Sequence, residues 1–283
     1  AGSQPLHRLP DENIAGEDLG TETESTWGLA FGDVNRDGYL DLVTGNLGQP
    51  NKVYIYDSSN GNFAATGTNI GSESDASYDV VLADVDKDGD LDLVVGNYGQ
   101  TNKLYIYDSS TNSFAATGTD IGNDTDNSWG LALGDVDGDG DLDVVAANKG
   151  QTNKLYLNDG TGSFTTGAGT NIGSDTDNTQ SIALGDVDGD GDLDLVIGNE
   201  GQTNKLYLND GSGNFSTTGT AISSDLDDTV FSSLEDFDGD GDLDLMTANY
   251  GTSHKLYLNN GNGVFDTGTA IGSGTDDSYA GFV

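Results

Sequence analysis

Apolar residues in this chain come in short runs that recur at a fixed interval, and each run has its own character. A first run, such as SIALGD (181–186), leads into an acidic loop. A second, LDLVIGN (193–199), is apolar at consecutive positions, the pattern of a strand covered on both faces. A third, NKLYLND (204–210), alternates with period two and is followed by Asp-Gly or Asn-Gly turns. A fourth runs from Phe63, Phe114, Phe164, Phe215 or Phe265 to Ile70, Ile121, Ile172, Ile222 or Ile271. Helical periodicity is not sustained anywhere, so the chain reads as all-β.

The acidic loop opens with Asp33, Asp84, Asp135, Asp186 and Asp236, at spacings of 51, 51, 51 and 50 residues. Four strands in a unit of that length predict a β-propeller of five four-stranded blades; solenoid repeats are usually shorter. The expected organisation is a tail over 1–18 and propeller repeats over 19–283. The blades fall at about 25–75, 76–126, 127–177, 178–227 and 228–275, with an extra strand over 276–283. Residues 19–32 and 271–283 both align with the segment that enters a first strand. The chain therefore holds six first strands and five acidic loops, and one first strand is surplus to a self-contained five-blade ring.

Each loop has the form Asp-x-Asp-x-Asp-Gly-x-x-Asp. Its members are Asp33, Asn35, Asp37 and Asp41; Asp84, Asp86, Asp88 and Asp92; Asp135, Asp137, Asp139 and Asp143; Asp186, Asp188, Asp190 and Asp194; and Asp236, Asp238, Asp240 and Asp244. Alternate carboxylates converge only where the chain curls, and the glycine at position six permits the curl. So many carboxylates repel one another unless a hard cation sits among them, and an oxygen-only ligand set points to Ca²⁺. The backbone carbonyl at position seven (Tyr39, Asp90, Asp141, Asp192 and Asp242) is the expected further ligand. An EF-hand would need a glutamate at position twelve and flanking helices. Here position twelve is Thr44, Val95, Ala146, Ile197 and Thr247, between strands.

From first strand through acidic loop to the LYLND strand, the repeat resembles the FG-GAP/VCBS family, which includes the calcium-loop blades of integrin α-subunit propellers and some lectins. The resemblance covers about nine tenths of the chain. It implies a propeller with one Ca²⁺ per blade, about five in all, held between the first and second strands. Asn35 departs from the motif and offers an amide oxygen in place of a carboxylate, so the first site is expected to bind more weakly.

Composition fits this reading. Lys and Arg number 9 against 49 Asp and Glu, a net charge of −40, which disfavours nucleic acid and anionic membrane surfaces as partners. No apolar run is long enough to span a bilayer, and no basic-then-apolar leader opens the chain, so any secretion signal is expected to be removed or absent here. There is no cysteine. Extracellular calcium modules bind at roughly 10⁻⁴–10⁻³ M. At tenfold excess over that constant each site adds about 1.4 kcal/mol, and five add roughly 7. Calcium would then staple a fold that has no disulfides, and cytosolic calcium is too low to fill such sites, so an extracellular location is expected.

Three weaker signals recur. The block Gly-Asn-x-Gly-Gln-x-Asn-Lys places Asn46, Asn97, Asn148, Asn199 and Asn249, and Lys52, Lys103, Lys154, Lys205 and Lys255, at fixed blade positions. It reads as turn amides with a lysine neutralising a nearby acidic loop, or else as a ring of donors for sugar hydroxyls. A second acidic patch (Glu22/Glu24, Glu73/Asp75, Asp124/Asp126, Asp175/Asp177, Asp225/Asp227 and Asp276/Asp277) reads as solvated turns, with further calcium as the alternative. Trp27, Tyr78, Trp129 and Tyr279 share one position, filled by Gln180 and Val230 elsewhere; inter-blade packing is expected, stacking on a sugar the alternative. Asn123 and Asn214 stand in glycosylation sequons.

The two histidines, His7 and His254, share no motif, and no unique acidic pair breaks the repeat, so an enzyme is not expected. The expected function is that of an extracellular calcium-stabilised adhesion or structural module, with glycans or cell-surface proteins as partners. A calcium-dependent lectin and a subunit of a head-to-tail filament joined through the terminal strand are the alternatives.

Overall fold

The second strand of every repeat is buried along almost its whole length, and this organises the molecule. In the computed structural model, which describes residues 23–164 and 167–272, these strands are Asp41–Asn46, Asp92–Asn97, Asp143–Asn148, Asp194–Asn199 and Asp244–Tyr250. Each pairs antiparallel with a first strand on one side (Thr26–Gly32, Ser77–Ala83, Ser128–Gly134, Thr179–Gly185 and Asp228–Glu235). On the other side lies a third strand (Asn51–Tyr54, Asn102–Tyr105, Lys154–Tyr156, Lys205–Tyr207 and His254–Tyr257). A short fourth strand closes each sheet: Thr68–Ile70, Thr119–Ile121, Thr170–Asn171, Thr220–Ala221 and Thr269–Ile271. The result is five four-stranded antiparallel blades, with no helix among the described residues.

Successive residues of the second strand point to opposite faces, so one strand feeds two cores. Val43 points forward, where Val34, Val53 and Ile70 of blade 1 meet Val80, Leu93, Val95 and Tyr105 of blade 2. Val94 points forward in turn, into a cluster with Leu131, Val144 and Tyr156 of blade 3. Val145 meets Leu195, Ile197 and Tyr207 of blade 4, and Val196 meets Leu245 and Tyr257 of blade 5. Each core therefore lies between blades, and burying one such side chain contributes about 1.5–3 kcal/mol.

The fourth strand is shorter than the sequence pattern predicts. Phe63 and Phe114 turn back onto Tyr56 and Tyr107 in small two-stranded hairpins, and only the last two or three residues of the segment join the sheet. Between these parts the chain crosses a tyrosine ring at close quarters. A Cβ at Gly67 would lie 2.7 Å from Tyr54, and one at Gly118 would lie 2.8 Å from Tyr105, so only glycine fits beside these rings. The predicted tail (1–18) and extra strand (276–283), with Glu22, Asp276, Asp277 and Tyr279, lie outside the described residues.

Candidate metal centres

Each acidic loop links the first strand of a blade to the second. Its curl depends on glycine at position six, where Gly38, Gly89, Gly140, Gly191 and Gly241 have φ of 91°, 90°, 89°, 97° and 100°. Position one then folds back over the turn. Asp84 accepts the Gly89 N–H at 3.0 Å, and Asp135, Asp186 and Asp236 accept those of Gly140, Gly191 and Gly241 at 3.0, 3.1 and 3.1 Å.

In four loops, positions one, three and nine bring one carboxylate oxygen each within 4.8 Å of the others. These are Asp84, Asp86 and Asp92; Asp135, Asp137 and Asp143; Asp186, Asp188 and Asp194; and Asp236, Asp238 and Asp244. Oδ1 of Asp84 and of Asp135 is buried without a hydrogen-bond partner. An orphaned, buried carboxylate oxygen facing two further carboxylates is what a hard cation neutralises. The side chains of Asp86, Asp137 and Asp188 are held above the ordinary carboxylate range by partial burial, with repulsion from the neighbouring aspartates adding to it.

Position nine does more than the sequence reading assigned to it. Asp41, Asp92, Asp143, Asp194 and Asp244 are fully buried. One oxygen of each accepts a backbone N–H from the start of its own loop: Val34, Val85, Val136, Val187 or Phe237, at 3.1–3.2 Å. The other accepts one from beyond the third strand: Tyr56, Tyr107, Asn158, Asn209 or Asn259, at 2.8–2.9 Å. This residue clamps the blade and faces the loop with its remaining lone pairs. Burial raises the Asp92, Asp143 and Asp194 carboxyls to about 6, despite these hydrogen bonds.

Position five stands outside these triads. Asp88, Asp139, Asp190 and Asp240 instead accept the N–H two residues on, from Asp90, Asp141, Asp192 and Asp242, at 2.8–3.0 Å. At position seven the side chains of Asp90 and Asp141 turn to the preceding loop, where Arg36 pairs with Asp90 at 2.8 Å and Lys87 pairs with Asp141. Arg36 and Lys87 occupy position four with φ of 59° and 61°, a conformation other loops give to glycine. These inter-blade ion pairs were not apparent from the repeat, because position four varies. In the first loop, the Asn35 amide donates to Asp37 at 3.0 Å, so two carboxylates and an amide stand at positions one, three and nine.

The second acidic patch has its partners within the chain. Lys205 lies 3.0 Å from Asp175 and 2.6 Å from Asp177; Lys255 lies 2.8 Å from Asp225 and 2.7 Å from Asp227. Lys52 pairs with Glu24 and Lys154 with Asp124, whereas Lys103 takes Asp120. Tyr105, Tyr156, Tyr207 and Tyr257 donate their hydroxyls to Glu73, Asp124, Asp175 and Asp225. The amides of Gln100, Gln151 and Gln202 bond Asp75, Asp126 and Asp177 at 2.6–2.8 Å. The recurrent Asn and Lys block thus neutralises this patch rather than the metal-type loops, and it holds the turns between blades. Asn46, Asn97, Asn148, Asn199 and Asn249 each donate to a backbone carbonyl four residues on.

The aromatic position is a β-bulge: the register of the first two strands shifts around Trp27, Tyr78, Trp129, Gln180 and Val230. The bulge turns three successive rings together. Trp27 and Tyr78 stand 4.9 Å apart and Tyr78 and Trp129 4.6 Å, with Tyr98 beside Tyr78 at 5.2 Å and Lys149 over Trp129 at 4.4 Å. Inter-blade packing is what these residues do, but Trp27 stays 47% and Tyr98 37% exposed.

Known proteins fit this geometry. A model of the FG-GAP-like repeat matches residues 33–95, 84–146, 135–197, 186–247 and 236–283, the first four matches each running from one acidic loop through the next and the fifth starting at the last loop. The chain belongs to the FG-GAP-like repeat family. No curated relative matches it in sequence. Among solved structures it is similar to an Agrocybe aegerita lectin that recognises non-reducing terminal N-acetylglucosamine, with TM-score 0.58 and 20% identity, covering 86% of this chain and 65% of the lectin. It is also similar to the Vibrio cholerae biofilm matrix protein Bap1, with TM-score 0.52 and 19% identity, over 86% of this chain and 39% of Bap1. This FG-GAP repeat chain therefore spans less than two thirds of either neighbour, and at such identities the likeness is one of fold.

Proposed function

We propose that this FG-GAP repeat protein is an extracellular, calcium-stabilised adhesion or structural module that binds its partners without catalysis. The observation that carries the reading is the set of four Asp triads, with orphaned buried oxygens on Asp84 and Asp135. Positions one, three and nine would hold Ca²⁺ in each of these loops, the backbone carbonyl at position seven is the natural further ligand, and the first loop is a fifth, weaker site. The bound cations would supply positive charge to a chain of net charge −40, locking each first strand to its second. Millimolar calcium of the extracellular medium suits such sites, and a matrix protein among the fold neighbours agrees with that setting. Calorimetry in excess Ca²⁺ and in chelator tests the reading: a melting temperature that does not move between the two would end it.

A lectin activity is the second reading, favoured by the exposed rings of Trp27 and Tyr98 beside Lys149 and by the lectin among the fold neighbours. An aromatic face with a nearby donor suits stacking against the apolar side of a pyranose. A glycan array in calcium, repeated with Trp27→Ala, is expected to show binding that the substitution abolishes. An array with no signal removes this reading and leaves the calcium-stabilised module standing.

A further inference from the structure

Three asparagines outside the acidic loops tie the candidate metal centres to one another. Asn158, Asn209 and Asn259 follow the third strands of blades 3, 4 and 5, and all three are buried. The side-chain amide of each donates to two loops at once. One bond goes to the position-two carbonyl of the preceding blade's loop, on Val85, Val136 and Val187, at 2.8, 2.7 and 2.7 Å. The other goes to the position-eight carbonyl of its own blade's loop, on Leu142, Leu193 and Leu243, at 3.1, 3.1 and 3.0 Å. The backbone N–H of the same asparagine meets the position-nine carboxylate of its own loop, on Asp143, Asp194 and Asp244.

These bonds join end to end. Asp92 accepts the Val85 N–H, the Val85 carbonyl accepts the Asn158 amide, and the Asn158 N–H goes to Asp143. Asp143 also accepts the Val136 N–H, and the path runs on through Asn209, Asp194, Val187 and Asn259 to Asp244. It is buried throughout and takes in the four loops whose carboxylates converge. The first loop lies off the path. Blade 2 places Tyr107, with no side-chain amide, where the later blades place asparagine. The half-exposed Arg36, paired with Asp90, links the first loop to the second, a contact of a kind that contributes little.

We propose that Asn158, Asn209 and Asn259 are positioning residues that couple the calcium sites of loops 2 to 5, so that these four fill cooperatively and the first fills by itself. This rests on the calcium sites proposed above for the same loops. An ion held by positions one, three and nine fixes the peptide at position two, which lies between its ligands. The carbonyl that the next blade's amide meets is fixed with it. That amide in turn holds its own loop at position eight, and its backbone N–H holds position nine. A loop ordered by one ion leaves less to be ordered by the next, and the effect is reciprocal. Charge works in the opposite sense, because each bound dication weakens the attraction for the next. Positive cooperativity between these sites therefore reports the relay and not the field.

Equilibrium dialysis of the full chain against graded Ca²⁺, with melting curves in parallel, tests the coupling. Four ions per chain are expected to enter together with a Hill coefficient of about 2, and a fifth separately at higher calcium. Asn209→Leu cuts the path between loops 3 and 4, so the stoichiometry should hold while the Hill coefficient falls toward unity. Thr229→Val removes an inter-blade bond of the same kind outside the loops, the one donated by Asn204. It should lower the melting temperature and leave the Hill coefficient unchanged. Circular dichroism verifies each fold. Asp188→Asn needs no change in the core: the whole four-ion set is expected to shift about fivefold to higher calcium, not one ion alone. Independent filling by wild type overturns the relay. So does a Hill coefficient that survives Asn209→Leu or falls equally with Thr229→Val, or an Asp188→Asn shift confined to one ion. Each of these leaves the calcium-stabilised module standing, whereas a chain that takes up no Ca²⁺ and melts alike in chelator ends both.

Discussion

Two sets of carboxylates repeat through this chain, and they differ in what surrounds them. The patch before each first strand has its charges met from within: a lysine, a tyrosine hydroxyl and a glutamine amide converge on Asp175 and Asp177, and similar partners hold the other copies. The loop between first and second strands draws three carboxylates together, its own Arg36 or Lys87, where present, pairing with position seven of the next loop, and leaves Asp84 Oδ1 and Asp135 Oδ1 buried without a hydrogen bond. Density of acidic residues alone does not identify a metal site; the inventory of partners does. The pKa directions follow the local partners rather than the set: within the second patch burial raises Asp75 and Asp126, whereas Glu73, Asp175 and Asp225 are lowered. Asp92, Asp143 and Asp194 are pushed up to about 6 by burial. Asp225 is lowered, first by its hydrogen bond to Lys255, and Asp175 is lowered because its bonds to Tyr207, Gly219 and Lys205 outweigh burial.

The largest effect expected to separate the two sets is removal of divalent cations. Five sites at tenfold excess contribute about 7 kcal/mol, comparable with the whole stability of many domains. Scanning calorimetry in chelator is expected to show a drop of roughly 10–20 °C. A shift of only a degree or two would mean that the loops, like the second patch, are satisfied without a cation.

Position nine sharpens the contrast within the loop. Asp143→Ala strands two buried backbone donors, on Val136 and Asn158, at roughly 1–3 kcal/mol each. That loss is expected in chelator as well as in calcium, whereas Asp137→Asn should lose only the calcium-dependent share, about 1.4 kcal/mol. Chemical denaturation of both variants in both buffers measures the difference. Equal behaviour of the two would show that Asp143 is a ligand and nothing more.

Much of this was legible in the sequence, and the parts that were not have a common cause. Repeat spacing, blade number and the loop glycines could be read directly, because each follows from one strand or one turn. The clamp role of Asp143 could not, since its second partner, Asn158, lies beyond the third strand. Nor could the true partner of the lysines: Lys205 meets Asp175 and Asp177 only after the chain has passed through two strands. Nor could the short reach of the fourth strand, because Phe63 and Phe114 pair back onto Tyr56 and Tyr107 in hairpins of their own. The aromatic position showed as a repeat, but the bulge that gathers Trp27, Tyr78 and Trp129 belongs to strand register.

A titration separates the buried clamp carboxyls from the lysine-paired Asp175 and Asp225 by sign. In chelator, a folded carboxyl near 6 binds protons that the unfolded chain, at about 3.9, does not. Stability from Asp92, Asp143 and Asp194 is therefore lost as pH rises from about 4 to 6, and acidification from pH 7 to 5 is expected to raise the melting temperature. Asp175 and Asp225 act in the opposite sense: their lowered carboxyls add stability above about pH 4, lost on further acidification. In excess Ca²⁺ the first trend should flatten or reverse, because protons compete with the metal for the same oxygens. An identical profile with and without calcium would place the titrating groups elsewhere. Lys205→Met, by contrast, should cost about 1 kcal/mol whether calcium is present or not, since it removes a partner of the satisfied set.

The smallest effect comes from the loop that breaks the pattern. Asn35 contributes an amide where the other four loops contribute Asp86, Asp137, Asp188 and Asp238. Asn35→Asp would replace the hydrogen bond now donated to Asp37 with repulsion, so the variant is expected to melt slightly lower than wild type in chelator. In calcium the added carboxylate should tighten the first site severalfold, about 1 kcal/mol, and the variant should melt slightly higher. The crossing of the two orders is the informative result. A charge that merely crowds an exposed turn lowers stability in both buffers, and only one that gains a cation changes sign. Isothermal titration then locates the gain, with the weakest of the five binding steps moving toward the other four.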